Sequence, residues 1–405
     1  MKRALLTLSL ALTACSSVII DPDDTGETNE TDPPEGGSDP GGTEARSLVM
    51  DSPIFAPREV VIRPDGTIAV VGLVLEGDVP ALGVESYDTS GNPLWNDQRA
   101  TSALGHGLYD VRAATLTDDG SLAVLSQVNR GDGVAGSWLV FYDAAGVVTS
   151  EAEVADIAGA DVAAASPDIG AGVILAGEDD GTHGSAAQRL AALVHVKPDG
   201  TTGMDLREGT RSADAAMAST VVRHPNGGFV VLKSDLDAGG TIQSSEIRII
   251  GGDGPIDAHL GPAGGPLLAV GPDGAIYTAS GGQADAHLLI CKHDLEGGGW
   301  TIDDVRSDTT LLGAMSLAVS EDGDVLVGGF AYPTDTAVSA EMFVRAYASD
   351  GTFAWDDAYR GPDGSFAFGM ALDTKGDQAV HAGIVAGNDD QPYFTVLRFL
   401  DLAAL

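Results

Sequence analysis

The sequence predicts an all-β protein, a seven-bladed β-propeller of four-stranded antiparallel blades, and three observations support this. A short turn that ends in Asp-Gly or a similar pair recurs seven times, at intervals of about 50 residues. A β-prone, largely apolar run flanks each turn. Helical periodicity is nearly absent, although the alanine-rich stretch 155–165 is a short candidate helix. Repeats of this kind and length are typical of a propeller, in which each sheet packs between two neighbours.

The recurring turn joins the first two strands of each repeat. In the first repeat it is Pro64-Asp65-Gly66, which lies between two apolar runs. Pro presets φ early in a turn, Asp accepts hydrogen bonds from nearby backbone, and Gly adopts positive φ. The flanking runs can then pair as a hairpin. The other six copies end at Gly120, Gly170, Gly227, Gly274, Gly323 and Gly376.

The last repeat provides a test of ring closure. It contains three apolar runs, of which the third reaches about Leu400, and it lacks a fourth. Residues 46–50, with the sequence RSLVM, form a spare β-prone segment ahead of the first repeat. We expect this segment to pair with the third strand of the last repeat, because closure removes an exposed sheet edge. The propeller is therefore predicted to span residues 46–405.

The N-terminus resembles the signal of a bacterial lipoprotein. Lys2 and Arg3 precede a short apolar segment, too short for a membrane anchor, that ends in Leu12-Thr13-Ala14-Cys15. This tetrapeptide is similar to the lipobox, an aliphatic residue and two small residues before a cysteine. The resemblance implies that residues 1–14 are a signal peptide cleaved before Cys15, and that Cys15 carries lipid, including palmitate. Ser16 follows the cysteine instead of aspartate, which favours anchoring to the outer membrane.

Residues 15–45 are predicted to be a disordered acidic tether. From residue 16 to residue 45 the chain is rich in Asp, Glu, Thr, Gly and Pro and contains no Lys or Arg. Such a segment cannot bury enough apolar surface to fold, and its like charges repel one another. The predicted organisation is therefore a signal, a tether and one propeller.

The charge of the chain excludes one class of partner. The formal net charge is −39, from 60 acidic and 21 basic residues. This charge repels nucleic acids and anionic headgroups, so we expect no nucleic-acid binding and membrane contact only through the N-terminal lipid. A high charge also keeps an exported protein soluble, and we expect a monomer. The alternative reading is attraction to calcium or to a basic partner.

The repeats resemble known bacterial propeller repeats of the SBBP and delta-60 type. The pattern is clearest in Tyr87-Asp88, Gly91 and Trp95 of the first repeat and in Asp350-Gly351 and Trp355 of the sixth. The resemblance covers residues 46–405 and implies the fold, but it says little about function. The turn and tryptophan also resemble, more distantly, the quinoprotein dehydrogenase motif. We instead expect Trp95, Trp300 and Trp355 to pack between blades.

Candidate binding residues lie in the loops that join the second strand to the third and each blade to the next. These loops are mostly longer and more acidic than the tight turns, and binding residues concentrate in such loops. The candidates for a ligand or metal site are Asp179, Asp180, His183, Asp389 and Asp390. A solvated loop is the competing interpretation, since one loop supplies too few ligands for a metal. His106 and His287 are expected near the same face, whereas His195, His224, His293 and His381 are expected to be structural.

Two functional hypotheses follow. The first is a lipid-anchored binding or scaffold module of the cell envelope, which uses its long-loop face to hold an envelope protein or a glycan. The second is an enzyme, either a metal-assisted hydrolase or lyase or a quinone-dependent dehydrogenase, with carboxylates clustered at the mouth of the central channel. No G-x-S-x-G, HExxH or P-loop motif is present, so no catalytic residue is assigned. No cofactor is predicted, and calcium is the one candidate ion.

Overall fold

The computed structural model describes residues 45–50, 52–77, 79–129, 135–154, 156–179, 190–208, 215–236, 242–251, 267–281, 286–293, 299–334, 340–361, 366–386 and 393–404. These residues form seven antiparallel sheets. The predicted seven-bladed propeller is confirmed. In the described part of the chain, no helix is long and apolar enough to cross a membrane.

Within a blade, the strands are hydrogen-bonded in chain order. Blades 1 and 2 contain β2 (Ala56–Ile62), β3 (Ile68–Glu76), β4 (Val79–Tyr87), β5 (Pro93–Arg99), β6 (Gly107–Leu116), β7 (Leu122–Asn129), β8 (Ala135–Tyr142) and β9 (Val148–Val154). Blades 3 and 4 contain β10 (Ile157–Ala164), β11 (Val173–Asp179), β12 (Ala191–Val196), β13 (Thr202–Glu208), β14 (Ala215–Arg223), β15 (Phe229–Leu236) and β16 (Ile242–Ile250). The fourth strand predicted for blade 4 falls in residues 252–266, outside the described residues.

Blades 5 to 7 complete the ring. Blades 5 and 6 contain β17 (Leu267–Val270), β18 (Ile276–Gly281), β19 (His287–His293), β20 (Trp300–Val305), β21 (Thr309–Val319), β22 (Val325–Pro333), β23 (Glu341–Tyr347) and β24 (Phe353–Tyr359). Blade 7 contains β25 (Ala367–Lys375), β26 (Gln378–Ala386), β27 (Tyr393–Asp401) and, as its fourth strand, β1 (Arg46–Met50). The first strand of each blade contacts the first strand of the next, from β2 around to β25 and back to β2. These strands therefore line the centre of the ring.

Ring closure occurs as the sequence predicts. Strand β1 pairs with β27 in antiparallel register, with Arg46 opposite Phe399 and Met50 opposite Thr395. The Arg46 guanidinium lies 4.5 Å from the centre of the Phe399 ring and donates a hydrogen bond to the carbonyl oxygen of Thr89 in blade 1. The N-terminal strand thus joins the last blade and contacts the first.

The candidate helix at 155–165 is instead the innermost strand of blade 3, β10. Its small side chains suit the crowded space between blades, since Val162 and Ala163 are buried against neighbouring sheets. Because the strand pairs with β11 and packs between two blades, tertiary contacts override the helical propensity of alanine.

The tight turns have the geometry that their residues predict. In blade 1, Asp65 accepts hydrogen bonds from the backbone N–H of Thr67, at 3.0 Å, and from its hydroxyl, at 2.7 Å. These bonds lower the pKa of Asp65. Gly66 has a φ of 82°, which a residue with a β-carbon adopts only with strain.

Tyrosine–aspartate hydrogen bonds connect adjacent blades. Tyr142 of blade 2 donates a hydrogen bond to Asp97 of blade 1 at 2.9 Å, and Tyr347 of blade 6 donates one to Asp304 of blade 5. The Trp95 ring stacks on Tyr142 with 5.9 Å between ring centres. Trp95 therefore packs between blades, as predicted.

We expect the substitution Tyr142→Phe to lower the free energy of unfolding by about 1–2 kcal/mol, because it removes the hydrogen bond to the Asp97 carboxylate. The loss is limited because Asp97 still pairs with Arg99 in the variant. Urea unfolding monitored by tryptophan fluorescence measures this change. The matched control is Tyr109→Phe, since the Tyr109 side chain is 59% exposed and should tolerate the change. Equal midpoints for the two variants would show that the bond between the blades contributes nothing.

The two faces of the ring differ. In the described blades, the turns from the first strand to the second and from the third to the fourth lie on one face, which we call the tight-turn face. The connections from the second strand to the third and from each blade to the next lie on the opposite face, the long-loop face. Arg46 lies at the tight-turn face, because its partner Phe399 is near the end of a strand that runs toward that face. The chain therefore enters the propeller from the tight-turn face. The expectation of long connections fails at two places. Only residues 77 and 78 join β3 to β4, and only residues 155 and 156 join β9 to β10.

Candidate functional site

The predicted acidic site is only partly within the described residues. Asp180, His183, Asp389, Asp390 and the predicted lipid-bearing Cys15 lie outside them. Asp179 is the last residue of β11 and its side chain is buried. Its carboxylate forms an ion pair with Arg207 of β13, and its backbone N–H donates to the carbonyl of Leu190 at 2.8 Å. The structure therefore places Asp179 in an internal ion-pair network.

Arg207 is the centre of that network. It also pairs with Asp156 at 2.7 Å and with Asp205 at 2.9 Å. The hydrogen bonds that Arg207 donates to Asp205, Asp179 and Asp156 raise its pKa, so its positive charge is permanent. Three carboxylates that share one guanidinium are neutralised in part, which reduces their capacity to bind a cation.

The same arrangement recurs in other blades. Arg99, at the end of β5, pairs with Asp97 at 2.5 Å and with Glu151 of blade 2 at 2.7 Å. Arg306 and Arg360, which follow β20 and β24, both pair with the buried Glu341, at 3.0 and 3.3 Å. An Asp-x-Arg sequence at the end of the fourth strand, as in 97–99 and 205–207, is the signal that sequence reasoning overlooked.

Two of the predicted histidines lie at the long-loop face. His106 Nδ1 is 2.9 Å from a carboxylate oxygen of Glu153, and His287 Nδ1 is 2.7 Å from Asp303. The two pairs belong to different parts of the ring and do not form one site. In the described parts of the chain, no three His, Cys, Asp or Glu side chains are grouped so that they could hold a metal ion.

The central channel brings together three carboxylates that the sequence analysis did not select. They are Glu59 on β2, Asp161 on β10 and Asp373 on β25, all on innermost strands. Asp161 accepts hydrogen bonds from the backbone N–H groups of Val221, in the next blade, and Val162, both at 2.8 Å. Asp373 likewise accepts from Ile62 of blade 1 at 2.7 Å. These two aspartates therefore connect neighbouring blades at the channel wall.

The environment of these carboxylates favours their protonated forms. Burial raises the pKa of Asp161 and of Asp373 to about 6. Burial also raises the pKa of Glu59, and the charges of Asp161 and Asp373 raise it further. Because blades 1 and 3 are not adjacent, the effect of the Asp161 charge on Glu59 indicates that these two side chains face one another across the channel. Groups with such pKa values can exchange protons near neutral pH, as general acids and bases do.

Two arginines occupy β-bulges in the innermost strands of blades 1 and 2. The register of β2 shifts at Arg58, and that of β6 shifts at Arg112. Both pair with the buried Asp110, at 3.3 and 3.2 Å, and Arg112 also donates to Gln127 at 2.8 Å. Bulges commonly redirect a side chain next to a functional site. Here they place two guanidinium groups around a single carboxylate, near the long-loop end of the channel.

An aromatic cluster lies between blades 6 and 7 at the same end of the strands. The Phe330 and Phe368 rings stack with 4.2 Å between centres, and Phe366 lies 4.8 Å from Phe368. Tyr332 and Tyr393 contact these rings, and all five side chains are partly exposed. Aromatic rings of this kind provide contact area at a binding surface.

Three of the four histidines that we expected to be structural have hydrogen-bond partners. His195 and His224 contact backbone carbonyls at 3.0 and 3.1 Å, and His293 contacts the Thr278 hydroxyl at 3.1 Å. His381 is buried, but its Nε2 has no hydrogen-bond partner within the described residues. Burial lowers the pKa of His381 to about 3, and the charge of Arg398 adds to this effect. Burial is confirmed for His381, whereas the expected hydrogen bond at Nε2 is not found.

Comparisons with known proteins identify the fold alone. No protein-family profile and no curated protein sequence matches the chain. The polysaccharide lyase Uly1 is 9% identical, with a TM-score of 0.54 over 86% of this chain and 90% of that chain. A Dyadobacter fermentans protein of unknown function is 12% identical, with a TM-score of 0.52 over 89% and 99%. Likeness at this identity establishes a β-propeller and nothing about function.

Proposed function

We propose that this protein is a lipid-anchored binding module of the bacterial cell envelope. In this proposal Cys15 carries the lipid, residues 15–45 are the tether, and the long-loop face of the propeller holds an envelope protein or a glycan. The protein acts as a monomer at the outer membrane and needs no cofactor. The lipobox resemblance supports the anchor, and the likeness to SBBP and delta-60-type repeats supports a bacterial origin.

The position of Arg46 is the observation that carries this proposal. The chain enters the propeller at the tight-turn face, next to Phe399 and the end of β27. A tether attached there leaves the long-loop face free for a partner. Exposed large apolar side chains are present at that face, since Leu104 is 70% exposed in the connection between blades 1 and 2. Binding residues concentrate in loops that a rigid scaffold presents in this way.

The anchor is tested by the substitution Cys15→Ser in the full chain, expressed in a bacterium with two membranes. We expect loss of labelling by a radioactive or clickable palmitate analogue and a shift of the protein from the membrane to the soluble fraction. The substitution Cys291→Ser is the matched control, because Cys291 lies in the propeller, on β19, and should not affect labelling. Membrane association that survives Cys15→Ser would contradict the proposed anchor.

An enzyme with its site in the central channel is the second candidate. The convergence of Glu59, Asp161 and Asp373 favours it, because carboxylic acids that hold a proton near neutral pH can act as general acids. A metal-assisted hydrolase or lyase would need ligands that the described residues do not group together. The distant resemblance of the turn and tryptophan to the quinoprotein motif supports a quinone-dependent dehydrogenase. We rank both enzymes below the binding module, which is supported by the lipobox resemblance and by the position of Arg46.

A further inference from the structure

Arg58 and Arg112 differ from three other arginines at the long-loop end of the strands. Arg99, Arg207 and Arg306 each pair with at least two carboxylates. Arg58 and Arg112, by contrast, share one carboxylate among the described residues, that of Asp110. Two guanidinium groups and one carboxylate leave one positive charge, in a chain whose formal net charge is −39.

With Asp110 as their shared partner, Arg58 and Arg112 are in an unfavourable electrostatic environment. Burial lowers the pKa of Arg112, and repulsion by Arg58 opposes the favourable charge of Asp110. The Nε atoms of both arginines are buried and find no hydrogen-bond acceptor in the described part of the chain. A buried donor without an acceptor is costly, and a second anion beside the exposed part of the pair would offset the repulsion between the two guanidinium groups.

The pair is also partly accessible to solvent. About a fifth of each arginine side chain is exposed, 21% for Arg58 and 22% for Arg112. Tyr109 lies at another bulge of β6, next to Asp110, and is 59% exposed. Its ring offers a flat apolar surface beside the two guanidinium groups. A planar fork of N–H donors matches a carboxylate, which can accept two parallel hydrogen bonds.

We propose that Arg58 and Arg112 form a binding site for a carboxylate group at the long-loop mouth of the central channel. The ligand is a small organic acid or a sugar acid, and in the second case the Tyr109 ring stacks against the sugar. A single carboxylate matches the one unbalanced positive charge, whereas a dianion would meet stronger repulsion from the acidic chain. This site rests on the proposed use of the long-loop face, for which it names a ligand chemistry.

The test uses purified full chain at low ionic strength, because salt screens the attraction. Thermal shift and calorimetry are measured with glucuronate, with lactate and with glucose, the neutral counterpart of glucuronate. We expect glucuronate or lactate to raise the melting temperature and glucose to have no effect. The substitutions Arg58→Gln and Arg112→Gln should each weaken carboxylate binding at least about tenfold, since each removes a charged hydrogen-bonding partner.

Two control variants separate this site from general effects of charge. Arg223→Gln removes a positive charge from the opposite, tight-turn end of β14, where Arg223 pairs with Asp118, and it should leave binding unchanged. If Arg112→Gln fails to fold, the effect of Arg58→Gln on carboxylate binding alone decides the test. If the ligand is a sugar acid, Tyr109→Ala should weaken the binding of glucuronate but not that of lactate. If the ligand is a simple organic acid, Tyr109→Ala should leave the binding of both compounds unchanged.

Three results would overturn the proposal. They are no shift with either carboxylate, an equal shift with glucose, and carboxylate binding that survives both Arg58→Gln and Arg112→Gln. These failures are distinct from failure of the proposed function. Contact with an envelope partner through Leu104 does not require the arginine pair, and lipid labelling of Cys15 does not require the propeller face.

Discussion

Removal of residues 46–50 from the full chain is expected to lower the free energy of unfolding by about 4 kcal/mol, from the loss of five cross-strand pairs and the partly buried Leu48. It should also make the protein self-associate. Without β1, the edge of β27 is left unpaired, and an exposed edge strand pairs readily with other chains. Arg398 also loses the Ser47 hydroxyl, with which it forms a hydrogen bond.

Urea unfolding and light scattering after size exclusion measure the two effects. The matched control removes residues 36–40 instead, which shortens the chain by the same number of residues and keeps β1. We expect the control to remain monomeric with an unchanged midpoint. A variant without residues 46–50 that stays monomeric and equally stable would contradict closure of the ring by the N-terminal strand.

The substitution Glu59→Gln is expected to stabilise the propeller at about pH 8 by about 1–3 kcal/mol, because the amide avoids the desolvation penalty of a buried carboxylate. The effect should disappear as the pH falls toward 4. The pKa of Glu59 in the folded protein is raised above its ordinary value of 4.5. A raised pKa contributes stability below the unfolded value, and that contribution is lost as the pH rises through the folded value. Glutamine does not ionise and avoids this loss.

Thermal melts across the pH range measure this difference between variant and wild type. The matched control is Glu76→Gln, an exposed glutamate at the end of β3 in the same blade, for which we expect no pH-dependent gain. Equal melting temperatures for wild type and Glu59→Gln at about pH 8 would indicate that neither burial nor the charges of Asp161 and Asp373 destabilise the ionised Glu59. The same result would weaken the case for an acid catalyst in the channel.

Local chemistry explains why most of the fold could be predicted. The turn at Asp65-Gly66 is determined by its own residues, since Asp65 bonds to Thr67 and Gly66 takes a positive φ. Residues 46–50 could be assigned to the last blade because a ring of repeats leaves one strand unaccounted for. The secondary structure of residues 155–165 was harder to predict, because alanine favours a helix in isolation. Only the packing of blades 2 and 4 against β10 makes this segment a strand.

The candidate sites were less predictable for a physical reason. Glu59, Asp161 and Asp373 are far apart in sequence, and only closure of the ring brings them to one channel. Asp179 is within a dense acidic segment and resembled a metal ligand, but its partner Arg207 lies 28 residues away on β13. Pairing between distant residues determines whether a carboxylate is free or neutralised, and a sequence pattern does not show it.

We propose that the long-loop face, and not the tight-turn face, holds a partner in the cell envelope. This proposal is tested most directly by photo-crosslinking in living cells, with a photoreactive amino acid at Leu104 or at Val147. Both side chains are exposed, at 70% and 59%, but Leu104 is on the long-loop face and Val147 follows a tight turn. We expect a discrete crosslinked species from Leu104 and none from Val147. Crosslinks from Val147 with none from Leu104 would contradict it.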